Sequence, residues 1–596
     1  MTTLDDDLKS AGGLQAFLPW CLGLVGICFC MLGYGEGENQ PRQSSVEQPP
    51  KQATPPASVR PNILLLVADD LGYSDLGSYG GEVSTPRLDA LARSGTLFTN
   101  FHTAPACTPT RSMLLTGVDH HLAGVGNMKV LMAENQQGQP GYEGVLNHRV
   151  VSIARLLRDS GYHTYISGKW DLGGDQGQWP SDRGFERTFA LLEGAGNHYN
   201  DGAVIPLLTT RHVRDGQELP RPAGYSSDLY TDKLIEFMQA DRGDGQPFFA
   251  YAAYTAPHWP LQAPAETIEK YKATYRAGWD KLRAQRLAKM KAQGLIDADQ
   301  SLPPRWAGVP AWESLTPEQQ QREARKMAVY AAMVENMDHN IGRILDHLRN
   351  SGQWDNTLIV FLSDNGADAA NIARQLPGGM PSPLRWLYRT LVSLNFDNSL
   401  DNLGREDSHF SYGLPWAQVS ATPHFLHKGL VSEGGIRVPL IISYPAKFPA
   451  AARSSSVTSV MDLAPTFLEL AGVEPPGPRY QGREVYPIEG RSLMPLLQGD
   501  SDKVYRDTDA LGFEFVGSDA LIQGDWKILR INDYFLDGKW RLINLKDDPA
   551  EMVDLSQRYP ERLAQMKKAY QKYQKDKGII PLPADYFESW PGKGNI

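Results

Sequence analysis

Two polar pairs close short apolar runs in this chain. Asp69-Asp70 follows Asn62 to Ala68 (NILLLVA), and Asp364-Asn365 comes just after Leu358 to Leu362. Apolar runs without alternation are the pattern of strands buried on both faces of a largely parallel sheet. In open α/β sheets, ligands gather outside the carboxyl ends of such strands. Asp69, Asp70, Asp364 and Asn365 therefore offer hard oxygen donors from two strand ends. That set suits Ca²⁺ and suits Zn²⁺ poorly, since zinc favours His or thiolate. Any one of these residues alone reads as a solvated loop side chain; the four together favour a site. A third run, Pro247 to Tyr254, leads to His258. A lone histidine is more often structural than catalytic, but this one lies just beyond a strand-like run.

The 596 residues contain four cysteines, and three of them (Cys21, Cys28, Cys30) lie in one apolar stretch near the N-terminus. The body keeps only Cys107, which excludes an intramolecular disulfide there and a zinc site of several thiolates. A single cysteine reads either as a small buried hydrophobe or as a reactive group. Lys plus Arg number 59 against 69 Asp plus Glu, a formal net charge of -10. With no long basic run, nucleic acid is not expected as a principal partner.

The elements that must position these residues are partly legible. Thr316-Pro317 with Gln319 supplies a cap, a proline at the first helical position and a capping-box partner. Met327, Tyr330, Val334, Met337, Ile341, Ile344 and Leu348 then repeat at spacings of three and four, one apolar stripe of core packing. Glu266 to Gln293 is charged and helical, and reads as a solvated face or a lid-like insertion. Past about Gly477, short β-like segments (Ala520 to Ile522, Trp526 to Ile531, Lys539 to Leu545) precede a polar helix from Pro560 to Lys577. The expected organisation is a signal peptide or membrane anchor over 1–35, a Pro/Gln/Ser-rich linker over 36–60, a catalytic domain over 61–477 and an antiparallel α+β subdomain over 478–596. Leu14 to Tyr34 is long and apolar enough to cross a bilayer as a helix, so the body is expected to be exported: periplasmic, secreted or membrane-anchored.

The neighbours of Cys107 decide its reading. Cys107-Thr108-Pro109-Thr110-Arg111, continuing to Leu115-Thr116-Gly117, resembles the C-x-P-x-R…L-T-G signature of the sulfatase family. Gly168-Lys169-Trp170 resembles its G-K-W motif, Ser363 to Gly366 its S-D-N-G, and Lys428 with Glu433-Gly434-Gly435 its lysine before E-G-G. Asp548-Pro549 with Glu551 and Asp554-Leu555 is similar to its closing motif. The resemblance spans about residues 60 to 570 and looks closest to the bacterial arylsulfatases.

It implies an alkaline-phosphatase-like α/β fold, a large mixed sheet flanked by helices with the smaller C-terminal subdomain. It also implies that Cys107 is oxidised to formylglycine by a maturation enzyme, and that its hydrate completes the shell of one Ca²⁺ with Asp69, Asp70, Asp364 and Asn365. By the same resemblance one hydroxyl of the hydrate attacks the sulfur of a small sulfate ester, the alcohol departs, and the other hydroxyl expels sulfate. Arg111 would hold the hydrate, Lys169 and Lys428 the sulfonate oxygens, and His258 would protonate the leaving group. One position departs: the family has a histidine where this chain has Asp171. Asp171 is expected to serve as an altered base or to handicap an anionic substrate. That departure keeps a weakened sulfate-ester-binding protein in view, beside a phosphonate or phosphate-ester hydrolase on the same scaffold.

Overall fold

The computed structural model of the protein describes residues 60–372 and 382–588. The apolar segment 14–34 and most of the linker expected over 36–60 lie outside the described residues. Among those described, no helix is long and apolar enough to cross a membrane.

The large sheet has eleven strands. From edge to edge they run Ala452–Ser454, Thr96–His102, Arg437–Ser443, Thr357–Ser363, Asn62–Ala68, Phe248–Ala253, His163–Lys169, Arg187–Leu191, His212–Arg214 and Gln217–Leu219, with Thr458–Ser459 pairing off this path. The five strands from Thr357–Ser363 to Arg187–Leu191 are mutually parallel, and antiparallel strands flank them. The three apolar runs read from the sequence form three adjacent central strands. Their lack of alternation has a direct cause. Ile63, Leu65 and Val67 enter one core and Leu64, Leu66 and Ala68 the other, so both faces of the strand are covered.

The helix Pro317–Asn350 starts as expected. Thr316 accepts from the Gln319 amide, Gln319 returns the bond, and Pro317 occupies the first turn. Its stripe, Met327 to Leu348, is buried against the sheet.

The segment 266–293 corrects the expectation. It forms the helices Ala265–Tyr271 and Trp279–Ala292, whose lysines mostly face outward, but Trp279, Leu282, Arg283, Arg286, Leu287 and Met290 are buried. Arg286 reaches Asp75 at 2.6 Å and Glu82 at 2.7 Å. A buried guanidinium persists only when such partners compensate it. This segment is an integral wall, and its charge-rich composition concealed the buried face.

At the C-terminal end, the strands Ala510–Phe515, Ser518–Gln523, Trp526–Arg530 and Arg541–Asn544 form an antiparallel sheet. One face, including Phe513, Ile522 and Leu529, joins the core of the large sheet. The other face, Leu521, Ile528 and Leu542, packs on Met566 and Tyr570 of the helix Pro560–Lys577.

Candidate active site

Strand register brings the candidate residues together. Ala68 pairs with Ser363, and Gly168 pairs with Ala253, so the chain leaves four central strands at one edge. Asp69-Asp70, Asp364-Asn365, Lys169 and the segment leading to His258 all emerge there. Two glycines permit the closeness. A Cβ on Gly168, at φ +120°, would lie 1.9 Å from the Ala253 carbonyl oxygen, and one on Gly366 would lie 1.9 Å from that of Gly434. The second contact, with the Gly366 amide donating to the Gly435 carbonyl at 3.0 Å, locks the S-D-N-G and E-G-G segments together.

Cys107 opens the helix Cys107–Thr116. Its Sγ lies 3.5 Å from Asp69 Oδ1 and 3.8 Å from Asp70 Oδ1. Burial pushes the thiol well above its ordinary pKa. Arg111 is one turn along the same face. Its Nε and Nη2 donate to Asp364 Oδ2 at 3.0 and 2.8 Å, and Nη1 donates to Tyr251 Oη at 3.2 Å.

Lys169 Nζ spans both Asp69 oxygens at 2.9 and 3.1 Å, and Lys428 Nζ meets Asp70 Oδ1 at 2.7 Å. Burial disfavours both ammonium groups, yet the carboxylates outweigh it and hold both above the usual lysine range. Burial pushes Asp69 up to about 8, with Lys169 opposing and the charge of Asp364 adding. Burial would raise Asp70 too, but Lys428 and His258 bring it below the usual carboxylate range.

His258 donates through Nδ1 to the Trp259 carbonyl at 2.5 Å, and its Nε2 faces Asp70 Oδ2 at 3.4 Å. Burial lowers it to about 4, its charge opposed further by Lys428 and Lys169. His198 Nε2 lies 3.0 Å from the His258 carbonyl and so fixes this loop.

These residues fit a hard cation. Asp69, Asp70, Cys107 and His258 present their ligand atoms within 4.8 Å of one another. Asn365 gives Nδ2 to Asp70 Oδ1 at 2.7 Å, while its buried Oδ1 has no partner. An unpartnered buried oxygen among three carboxylates is a donor set that a hard cation would satisfy. Asp171 stands apart from this group: its Oδ2 accepts from Thr108 Oγ1 at 2.8 Å and lies 3.9 Å from Lys169 Nζ.

Sequence reasoning did not identify three supporting residues. Tyr251 sits at an inward position of a strand that was recognised. Asp368, four residues past Asp364, accepts from Trp259 Nε1 at 2.7 Å and lies 3.9 Å from Lys428 Nζ. Thr108 lay inside the quoted motif with no role assigned. A second cluster, Asp119, His120 and His121, is closed by its own contacts: His121 Nδ1 meets Asp119 at 2.9 Å and Nε2 meets Glu514 at 3.0 Å.

A mixed sheet with acids and cations converging at its carboxyl edge is an alkaline-phosphatase-like architecture, with its site where open α/β sheets bind their ligands. The chain belongs to the sulfatase family, whose members are sulfuric ester hydrolases. The sulfatase family model matches residues 61–473, and the model for the C-terminal part of N-sulphoglucosamine sulphohydrolase matches residues 423–576. An arylsulfatase of Klebsiella aerogenes is 41% identical over 446 residues, covering 73% of this chain and 92% of the relative. An uncharacterized sulfatase of Schizosaccharomyces pombe is 40% identical, covering 89% of this chain and 96% of the relative. Among solved structures, Ps i-CgsB shares the fold at 24% identity and a TM-score of 0.62, covering 89% of this chain and 97% of that one.

Proposed function

We propose that this protein hydrolyses sulfate monoesters, aryl or alkyl sulfates, at the site around Cys107, with Cys107 converted to formylglycine and one Ca²⁺ as cofactor. The observation that carries the reading is the convergence of Lys169, Lys428, Arg111 and His258 on the carboxylates beside the Cys107 side chain. A hydrated formylglycine supplies an oxygen nucleophile toward sulfur. A Ca²⁺ held by Asp69, Asp70, Asp364 and Asn365 supplies positive charge for the sulfonate oxygens.

The chain's own residues do the rest. Lys169 and Lys428 stay protonated, so each can bind a sulfonate oxygen while remaining fixed to its aspartate. Arg111 orients Asp364 with its planar fork. His258, with Nδ1 committed to the Trp259 carbonyl, presents Nε2 to the departing oxygen and delivers a proton there from its imidazolium form, which the Asp70 carboxylate beside it favours. No contact in the site favours a phosphonate ester, whereas family membership supports sulfate. A formylglycine-generating enzyme is the maturation partner in this reading, and the apolar segment 14–34 would export or tether the body.

The test is peptide mass spectrometry across Cys107 on protein from its native host, with hydrolysis of an aryl sulfate measured with and without chelator. Aldehyde at Cys107 with chelator-sensitive turnover is expected. Unmodified thiol, or chelator-resistant turnover, would count against the respective cofactor.

A further inference from the structure

Beside the site lies a cavity of about 480 Å³, lined among others by Asn197, Ala203, Pro260, Phe396 and His409. Two contacts join it to His258. Trp259 packs on His258 with ring centroids 4.9 Å apart and on His409 at 6.5 Å, and His198, next to Asn197, holds the His258 carbonyl.

The polar groups of the lining are largely spent on one another. Asn197 Nδ2 donates to the Glu406 carbonyl at 2.7 Å, and Asn200 Nδ2 donates to Glu406 Oε1 at 2.9 Å. Their side-chain oxygens accept from the amides of Tyr199 and Gly202, both at 2.8 Å. His409 Nε2 meets Tyr388 Oη at 3.1 Å. A sugar would need free convergent donors and acceptors. What remains open is the apolar surface of Ala203, Pro260 and Phe396, together with the exposed side chains of Arg405, Glu406 and Asp407.

That surface continues outward. Among the described residues twelve large hydrophobic side chains are exposed, and six of them are Ile205, Leu207, Leu208, Trp386, Leu387 and Leu394. They lie in the two segments that run into the cavity, after Ala203 and before Asn395. Tyr388 Oη ties the segments together by donating to the Val204 carbonyl at 3.5 Å. Along the helix Ser382–Asn395 the exposed apolar residues extend about 13 Å from the cavity. Clustered exposure of this kind marks a ligand surface more than scattered single residues do.

We propose that the alcohol carried by the natural sulfate ester is a long hydrophobic one, alkyl or polycyclic, whose apolar body fills this cavity and lies across the Leu207–Trp386–Leu394 surface. The proposal rests on the sulfate-ester reading of the site.

The experiment compares kcat/KM of the matured full chain on n-alkyl sulfates from butyl to dodecyl, a small aryl sulfate and a sulfated monosaccharide. The long esters are offered both as monomers and in phosphatidylcholine vesicles, which separates dissolved from membrane-borne supply. The expected result is a rise of up to about fourfold for each methylene that enters the apolar surface. In the triple variant Leu207→Ser, Trp386→Ser and Leu394→Ser, dodecyl sulfate should lose about tenfold or more, with butyl and aryl sulfates unchanged. A flat series, an equal loss on every ester, or preference for the monosaccharide overturns the proposal. So does binding of plain phosphatidylcholine vesicles through these side chains with a flat series, which would make the patch a membrane-docking face. Hydrolysis without chain-length dependence sinks this inference alone; no hydrolysis of any sulfate ester sinks the underlying reading with it.

Discussion

Thr108 Oγ1 donates to Asp171 Oδ2 at 2.8 Å, so the residue that departs from the sulfatase pattern is tied to the residue next to Cys107. Asp171 sits at φ +57°. Asn, Asp and His enter that left-handed region more readily than other side chains with a Cβ, so the histidine of the family pattern fits the same backbone. The carboxylate adds negative charge near an anionic substrate, offset in part by Lys169 at 3.9 Å. Asp171→Asn keeps an acceptor for Thr108 and should raise kcat/KM on a test aryl sulfate by about tenfold. Asp171→His should raise turnover in the same assay. Unchanged values for both would show that the carboxylate is no handicap, and lower values for Asp171→Asn that it is used as a base.

The closing motif binds the C-terminal sheet to the catalytic loops. Lys527, fully buried, reaches Glu433 at 2.8 Å and Glu551 at 2.7 Å, and Glu551 also accepts from the Glu433 amide at 2.7 Å. Removing the cation strips Glu551 of its buried ion pair and leaves Glu433 with only His102 at 3.1 Å and Arg437 at 3.4 Å. Lys527→Met should therefore cost about 3–5 kcal/mol in chemical denaturation. A loss below about 1 kcal/mol would show that water or rearrangement satisfies the pair.

His121 gives a pH signature. Burial opposes its charge, but hydrogen bonds to Asp119 and Glu514 raise it to about 9. A raised pKa means that the stabilisation is fully present below the unfolded value of about 6.5 and is lost as pH climbs toward 9. The loss over that window should be about 3 kcal/mol. His121→Gln should flatten the stability profile between those pH values. A wild-type profile as flat as the variant's would show that His121 is neutral in the folded protein.

How much of this was legible depended on where the signal lay. The strand Asn62–Ala68 and the helices Pro317–Asn350 and Pro560–Lys577 carry local signals, an unbroken apolar run or a capped period, and the structure matches them closely. The strands Thr96–His102 and His163–Lys169 mix Thr, His, Ser and Lys with apolar residues, and only their place in the sheet makes them strands. The candidate carboxylates were visible at strand ends and Cys107 and Arg111 in one motif, whereas Lys169 and Lys428 stood out only through the resemblance of their motifs. Tyr251 and Asp368 were not, since their roles exist only through contacts that folding creates with Arg111 and Trp259. The buried face of Trp279–Ala292 was hidden for the same reason: Arg283 and Arg286 look solvated until Asp75 and Glu82 are placed beside Arg286.

Arg111 tests whether the fork or merely the charge matters. Its guanidinium makes two bonds to Asp364 Oδ2 and one to Tyr251, leaving Asp364 Oδ1 close to the Asp70 amide at 3.2 Å. Lysine keeps the charge but cannot span these partners. Asp364 would then be free to turn away from Asp69, Asp70 and Asn365. Arg111→Lys should reduce kcat/KM about a hundredfold, equivalent to about 2.7 kcal/mol, and should weaken Ca²⁺ binding measured by titration calorimetry. Tyr251→Phe removes a single hydroxyl contact and should cost less than about tenfold in kcat/KM. If Arg111→Lys loses activity with Ca²⁺ affinity unchanged, Arg111 acts directly on the substrate rather than through Asp364.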